Sequence, residues 1–299
     1  MNRIEMERTD RVSVLFLCFK FILGSLDRIA ITKRWDSETR RTIMANDKFE
    51  RIEKKYLVSG EKYKHLWERL QNYMTVDEYG LSTICNIYYD TENYELIRRS
   101  IEKPAYKEKL RLRSYGVPTE DTKTFVEIKK KWDGVVYKRR VEMPMAESRA
   151  YLNEGMEPRK DGQIKREIDY FMDFYKPVPK MYIAYDRIAM YGKENPSLRI
   201  TLDFRIRYRL DDLDLTKGDH GTLVLNEDDV LMEIKVGGAY PLWLVDILSE
   251  LEIYQVSFSK YGTAYKKELA KKLAKRKQQE LEKVAVTTDD TWKRILVAI

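Results

Sequence analysis

The residues best placed for chemistry are basic ones that return at every second position. In an extended strand, positions i, i+2 and i+4 share a face. Arg51-Ile52-Glu53-Lys54-Lys55 therefore sets Arg51, Glu53 and Lys55 together, and Arg111-Leu112-Arg113 sets two guanidiniums side by side. Glu127, Lys129 and Lys131 share a face, as do Lys138 and Arg140. Arg199, Thr201, Asp203, Arg205, Arg207 and Arg209 line one side of a further stretch, and Glu233 with Lys235 repeats the device with an acid and a base. A half-buried strand also alternates, because its outer face meets water. For any one segment that is the simpler account. Six segments with the same habit point further. Turned inward, such faces would crowd like charges at a desolvation cost that a polyanion relieves. Arg suits phosphate oxygens by bidentate donation and Lys as a point charge. Interspersed glutamates can hold a divalent cation bridging those oxygens. The ligand class read from the residues is a polyphosphate chain or a nucleoside triphosphate.

Composition removes other chemistries. The 299 residues include two histidines, His65 and His220, too few and too isolated for a histidine metal centre or a triad. Cys18 and Cys85 cannot build a disulfide framework or a thiolate metal site, which fits a reducing compartment. An apolar fraction of 43% with 21 tyrosines furnishes a core and excludes wholesale disorder. The net charge of +7 is unevenly spread. Residues 1–43 hold nine basic and six acidic side chains, and residues 266–299 hold ten and five. Residues 44–265 keep 37 basic against 38 acidic, a net of −1, so that region is basic only by placement.

The elements that must position these residues are mostly strands. Alternation or β-branched and aromatic content predicts them at Phe49–Val58, Ser82–Tyr89, Lys107–Tyr115, Phe125–Lys131, Val135–Met143, Met181–Met190, Leu198–Leu210 and Val230–Val236. Asp133-Gly134 between two of them is a hairpin signal. Ser59 is placed to cap a helix running to about Tyr73, Ala146–Asn153 reads as a short helix stopped by Gly155, and Pro241 suits the first turn of a helix through Leu251. Tyr265–Val284 reads as an exposed basic helix. About eight antiparallel strands with helices in the connections imply an α+β fold built on a closed barrel or a strongly curved sheet. The apolar run Val12–Leu23, broken by Lys20, is shorter than the roughly 20 residues a spanning helix needs. Glu5, Glu7 and Asp10 make it a poor secretory signal.

At these same residues the sequence resembles the polyphosphate polymerase domain of the vacuolar transporter chaperone (VTC) family, within the triphosphate tunnel metalloenzymes and their CYTH relatives. The matching segments are Glu53-Lys54-Lys55-Tyr56, Ile87-Tyr88-Tyr89-Asp90-Thr91-Glu92-Asn93, Lys109 to Gly116, Phe125-Val126-Glu127-Ile128-Lys129, Tyr185-Asp186-Arg187, Arg199 to Asp203, Glu233-Ile234-Lys235 and Ser257 to Tyr261. Their order and spacing carry the match. The resemblance implies an eight-stranded closed tunnel barrel with flanking helices, spanning residues 44–265. Residues 1–43 are then an N-terminal extension, read either as an amphipathic segment or as sequence ahead of a true start at Met44. Residues 266–299 are then a basic helical tail.

What the family does implies roles for single residues. Lys55, Lys138, Arg187, Arg199 and Lys260 would grip phosphates, and Arg111, Arg113 and Lys129 would offset charge on the transferring group. Glu233 would ligate Mn²⁺ or Mg²⁺. Glu53, Glu127 and Lys235 are further tunnel candidates, Glu127 and Lys235 reading equally as structural ion pairs. Arg205, Arg207 and Arg209 lie beyond the matched motif and read as surface or rim charges. The implied reaction passes the γ-phosphoryl group of ATP to a growing inorganic polyphosphate chain. The alternatives are a triphosphatase or polyphosphatase with the same tunnel, and a polyphosphate- or nucleotide-binding sensor without turnover. CYTH hydrolases and cyclases open with Glu-x-Glu-x-Lys, whereas Arg51 stands at the first glutamate here, which favours the polymerase branch. Ser257 replaces a lysine of the eukaryotic polymerase motif. The implied partners are ATP and polyphosphate, with a membrane protein reached through the N-terminal segment or the basic tail. Nucleic acid is not expected, for want of an aromatic stacking motif. The implied location is the cytoplasm, or the inner face of its membrane.

Overall fold

The computed structural model describes residues 51–297, apart from Gly134 and Lys160. The expected extension over residues 1–43, with its run Val12–Leu23, lies outside the described residues. The elements run β1 (Arg51–Val58), α1 (Gly60–Tyr73), β2 (Met74–Asp90), α2 (Glu95–Ile101), β3 (Tyr106–Tyr115), β4 (Lys123–Trp132), β5 (Val135–Pro144), α3 (Met145–Glu154) and α4 (Gln163–Tyr175). They continue with β6 (Val178–Gly192), β7 (Arg199–Arg209), a 3₁₀ turn at Leu215–Lys217, β8 (Thr222–Leu223), β9 (Val230–Gly237), α5 (Leu242–Glu250), β10 (Gln255–Val256) and α6 (Lys260–Val297). Each of the eight predicted strands has its counterpart, and β8 and β10 add two residues each.

All strand pairs are antiparallel, in the order β10-β1-β9-β7-β6-β2-β3-β4-β5, with β8 beside β7. Among the described residues the strands do not close into the expected barrel. Among the described residues, β5 and β10 are free edges of one open sheet. The sheet is nevertheless strongly curved. Four strands separate β1 from β3 in the pairing order, which on a flat sheet would put them more than about 20 Å apart. Yet the Lys55 ammonium on β1 bears electrostatically on Lys109 of β3. Both strands reach the segment just before α6: Lys109 Nζ donates to Ser259 Oγ at 3.2 Å, and Lys55 Nζ to the carbonyl of Phe258 at 3.4 Å.

The convex face is apolar and covered by helices. Over β2 to β5, the residues Ile87, Leu110, Leu112, Val126 and Ile128 pack under Met145, Tyr151, Ile168 and Phe171 of α3 and α4. Over β1, β9 and β7, the residues Val58, Ile200, Leu202, Met232 and Ile234 pack under Leu66 and Leu70 of α1 and Leu244 and Ile247 of α5. On the opposite, concave face a third cluster joins Ile84, Tyr88, Ile183, Tyr185 and Tyr208 of the sheet to Ile97 of α2 and to Tyr261 and Ala264 of α6. Burial of these side chains, at about 25 cal/mol per Å² of apolar surface, drives the helices onto the sheet.

Helix boundaries differ from expectation in local ways. Ser59 holds the N-cap position of α1, but its side chain makes no capping bond. Gly155 ends α3 in the left-handed conformation with φ 69°, as expected. α2 and α4 were not foreseen. α2 is nucleated by Asp90, whose carboxylate accepts from the backbone N–H groups of Leu96 and Ile97 and from the Tyr261 hydroxyl. α6 starts at Lys260, five residues before the predicted helix. At the β4–β5 hairpin Trp132 lies opposite Val135 and Asp133 has φ 41°, while Gly134 lies outside the described residues. Among the described residues, no helix is long and apolar enough to cross a membrane.

Candidate phosphate-binding site

Register decides which charges meet on the concave face. Arg111 of β3 opposes Glu127 of β4, which opposes Arg140 of β5, and Lys129 lies between Lys109 and Lys138. Glu127 is 1% exposed and holds three cations. Arg111 reaches its Oε2 at 2.6–2.8 Å, Lys138 its Oε1 at 3.0 Å, and Arg113 approaches Oε2 at 3.7 Å. Burial pushes the Glu127 carboxyl up, but Arg111, Arg113 and Lys138 together bring it down to about 2. The arginines are aimed by neutral partners as well. Arg113 donates to Asn86 Oδ1 at 3.0 Å and to the Tyr185 hydroxyl at 3.3 Å, and Arg111 to the Tyr88 hydroxyl at 3.1 Å.

A second hub lies on β7. Asp203 is 0% exposed and receives Arg187 of β6 through two hydrogen bonds, with Lys260 at the start of α6 on the same carboxylate. Burial raises its carboxyl, and Lys260 with Arg187 holds it below the usual carboxylate range. Tyr185 lies beneath this group, 5.0 Å from the Arg187 guanidinium and 4.3 Å from the Lys260 ammonium, measured to its ring centre. Burial raises its phenol, but Arg113, Arg187 and Lys260 outweigh that and lower it to about 8. A third hub joins β1 and β9. Glu233 pairs with Lys235 at 2.5 Å and Lys55 at 3.5 Å, and Lys55 reaches Glu53 at 3.6 Å. Burial opposes the Glu233 charge, while Lys235 and Lys55 hold the carboxyl far below its ordinary value.

The fold therefore gathers Lys55, Arg111, Arg113, Lys129, Lys138, Arg187, Lys260 and Glu233, with Glu53, Glu127 and Lys235, on the concave face around three carboxylate hubs. Burial of Glu127 and Asp203 excludes the account in which this alternation merely faces water. Arg199, opposite Lys235 at the start of β7, is exposed at the edge of the group. Arg205, Arg207 and Arg209 divide. Arg205 is exposed with φ 45°, beside a register shift between Ala184 and Asp186. That bulge reverses the alternation of β7. Arg207 and Arg209 are consequently buried on the convex side instead of standing at the surface. Arg207 pairs with Asp186 and Asp219, and Arg209 donates to the carbonyls of Asp212, Asp214, Gly218 and His220 while lying 3.5 Å above the Tyr182 ring.

Sequence reasoning missed Asp203 as a counter-ion, although it stands two residues from Thr201 on the inward face. It also missed Lys109, whose place in Lys109-Leu110-Arg111-Leu112-Arg113 carries the same alternation. Asn86, Tyr88 and Tyr185 had no charge to mark them. Among the described residues, no group of three or more His, Cys, Asp or Glu side chains is arranged to hold a metal ion. Glu233 and Glu53 both approach Lys55, at 3.5 and 3.6 Å, so two carboxylates of the kind that would suit a hard divalent cation stand on either side of one ammonium group.

Residues 50–269 match the VTC domain family. The chain belongs to that family. The matched region of this VTC domain begins with β1 and extends into α6, so it contains all three carboxylate hubs. No curated protein matches the chain. Among solved structures, a candidate adenylate cyclase from Bacillus halodurans is 17% identical, over 70% of this VTC-domain chain and 92% of that chain, with a TM-score of 0.46. A candidate adenylyl cyclase from Hippeastrum, described as having a dominant triphosphatase activity, is 16% identical over 71% and 93% of the respective chains, with a TM-score of 0.41.

Proposed function

We propose that this VTC-domain protein is a metal-dependent polyphosphate polymerase, moving the γ-phosphoryl group of ATP onto the end of an inorganic polyphosphate chain. The observation that carries the reading is the gathering of Arg111, Arg113, Lys129, Lys138, Lys55, Arg187 and Lys260 on one concave face of a VTC domain. In the reaction, an oxygen of the chain's terminal phosphate forms a bond to the γ-phosphorus while the bridging bond to the β-phosphate breaks, releasing ADP. The terminal phosphate is ionised near neutral pH, so no histidine base is required. Such transfer depends on alignment and charge neutralisation.

Arg111 and Arg113, fixed by Glu127, Asn86, Tyr88 and Tyr185, present rigid forks to the transferring group, and Lys129 adds a point charge beside them. Lys55, Lys138, Arg187, Arg199 and Lys260 grip the flanking phosphates. Phosphate oxygens would compete with Glu127 and Asp203 for these cations, so the hubs keep the face folded while no polyanion is bound. Glu233, with Glu53 alongside, would hold Mn²⁺ or Mg²⁺, which when bound offsets phosphate charge. In this reading residues 44–265 are the catalytic unit and 266–299 a basic helical tail, in a protein of the cytoplasm or of the inner membrane face.

The test is to incubate purified protein with ATP and Mn²⁺ or Mg²⁺ and to size the product on a gel. A ladder of long polymer is expected. Orthophosphate alone would overturn the polymerase reading in favour of hydrolysis, and tight binding without turnover would favour a sensor.

A further inference from the structure

The β4–β5 hairpin ends in apolar side chains that stay in contact with solvent. Trp132, Val135, Val136 and Tyr137 are each 46–53% exposed. The first four residues of β5 are exposed whichever way they point. Val136 shares the concave face with Lys138, whereas Val135 and Tyr137 share the convex face with Arg139, and Trp132 lies opposite Val135. The exposed apolar groups therefore stand on both faces of the ribbon. Cations surround them. Residues 129–140 hold six basic side chains, three on each strand, against one acid, Asp133. The Asp133 N–H donates to the Ala105 carbonyl at 2.9 Å, which brings the loop after α2, with Lys103, to the same tip. Lys130 and Arg139 are held by Glu167, and Lys130 also by Glu108. Among the described residues Lys103, Lys107 and Lys131 have no carboxylate within ion-pair distance. Burial lowers the Lys107 ammonium, and Lys131 and Lys103 lower it further, so these three cations crowd one another.

We propose that this hairpin tip is a membrane-surface contact, seating Trp132, Val135, Val136 and Tyr137 among the headgroups of anionic lipids while Lys103, Lys107 and Lys131 meet the lipid charge. Exposure on both faces decides between partners. A protein strand added along the free edge of β5 would leave both faces open, and a packed protein layer would cover one. The same edge of a second copy, paired antiparallel about its middle, would bring Lys138, Arg139 and Arg140 of each chain together, and like charges oppose such pairing. A headgroup layer surrounds a hairpin tip on every side. Trp and Tyr favour that depth, and each lysine near an anionic surface strengthens the attachment. Asp133 at the turn keeps the contact shallow, since a carboxylate in the hydrocarbon is costly. The contact makes no use of Glu127, Asp203 or Glu233, so it holds whether or not the concave face turns over ATP.

Sedimentation of the full chain with phosphatidylcholine vesicles, with and without phosphatidylserine, tests this. The parent is expected to bind the vesicles that contain phosphatidylserine. The double variants Trp132→Ser/Val136→Ser and Lys103→Gln/Lys131→Gln should each weaken that binding by about tenfold. Both should melt with the parent, since none of the four side chains is buried, and that keeps misfolding from imitating the effect. Brominated acyl chains should quench tryptophan emission in the parent and quench it much less in Trp132→Phe, a difference that neither residues 1–43 nor the basic tail can produce. A parent that binds no vesicles, unchanged binding in both double variants, or equal quenching in parent and Trp132→Phe would overturn the contact. Equal binding to neutral and anionic vesicles would overturn the assignment to anionic lipid. Variants that keep vesicle binding but lose retention on heparin would assign the tip to a soluble polyanion and overturn the proposal.

Discussion

Arg187 and Asp203 face each other across β6 and β7 in a two-point pair, Nε to Oδ1 at 2.6 Å and Nη2 to Oδ2 at 2.8 Å, with the carboxylate wholly buried. Lys260 joins the same carboxylate from the first residue of α6, so one acid ties two neighbouring strands to the C-terminal helix. Substituting Asp203→Asn leaves two cations without their counter-ion in a buried place. Removing one partner of a buried pair costs about 3–5 kcal/mol. The expected result is a fall of that size in urea-unfolding free energy, and a loss much smaller than 1 kcal/mol would show that water screens the pair.

Glu127 makes acid stability measurable. Its carboxyl is lowered to about 2 by Arg111, Arg113 and Lys138, against an ordinary 4.5 in the unfolded chain. Between those values the unfolded state binds more protons, so the stability from this group is complete above about 4.5 and disappears as pH falls through about 2. Glu127→Gln should lower stability at neutral pH and flatten its slope between pH 5 and about 2. Denaturant melts across that window check it. An unchanged slope would mean that Glu127 is not the counter-ion.

Lys109 and Tyr185 set a pH limit on polyanion binding. As pH rises, Lys109 loses its charge near 7 and the Tyr185 phenol gains one near 8, and both changes oppose an anionic ligand. Affinity for a long polyphosphate, whose internal phosphates do not titrate in this range, should decline from about pH 6.5 to 9 at constant ionic strength. Lys109→Gln should remove the lower step and Tyr185→Phe the upper. A flat profile in the parent protein would contradict both assignments.

Arg113 divides its fork between Asn86 and Tyr185, a geometry that an ammonium cannot reproduce. Arg113→Lys should keep the charge and the fold, yet reduce turnover of ATP by about 10²-fold or more, the cost of losing one aimed donor at a developing charge. Initial-rate measurements at saturating ATP decide it. Near-parent turnover would reduce Arg113 to a bulk charge.

Glu233→Gln separates the metal role from the ion-pair role. The variant should fold, because glutamine retains an acceptor for Lys55 and Lys235, and it should lose metal-stimulated synthesis. Turnover against Mn²⁺ or Mg²⁺ concentration is the measurement. A parent-like metal dependence would remove Glu233 from metal binding.

The strands were legible because a period of two survives in a single sequence, and β1, β3, β4, β5, β6, β7 and β9 lie within a few residues of their expected bounds. α4 was not foreseen, although Ile164, Ile168 and Phe171 recur at helical spacing. α2 was not, because seven residues are held as a helix by the carboxylate of Asp90, a partner outside the helix itself. Lys55, Arg111, Arg113, Glu127, Lys129 and Glu233 could be read as sharing faces, since alternation is a local property. That Arg207 and Arg209 leave the face shared by Asp203 could not. A bulge at Arg205, fixed by pairing with β6, reverses the alternation within one strand.

The sequence by itself determined which side chains share a strand face, because backbone geometry sends every second residue the same way. It also determined that the charged excess belongs to the ends of the chain and not to its centre. Tertiary structure decided how those faces meet. Register set Glu127 against Arg111, and curvature brought β1 within reach of β3 while leaving, among the described residues, one edge of β5 and one of β10 free. It also decided which cations have a buried acid and which, like Lys109 and Lys129, have none. The reason is physical: alternation is fixed by bonds along the chain, whereas compensation of a charge depends on what lies a few ångströms away through space.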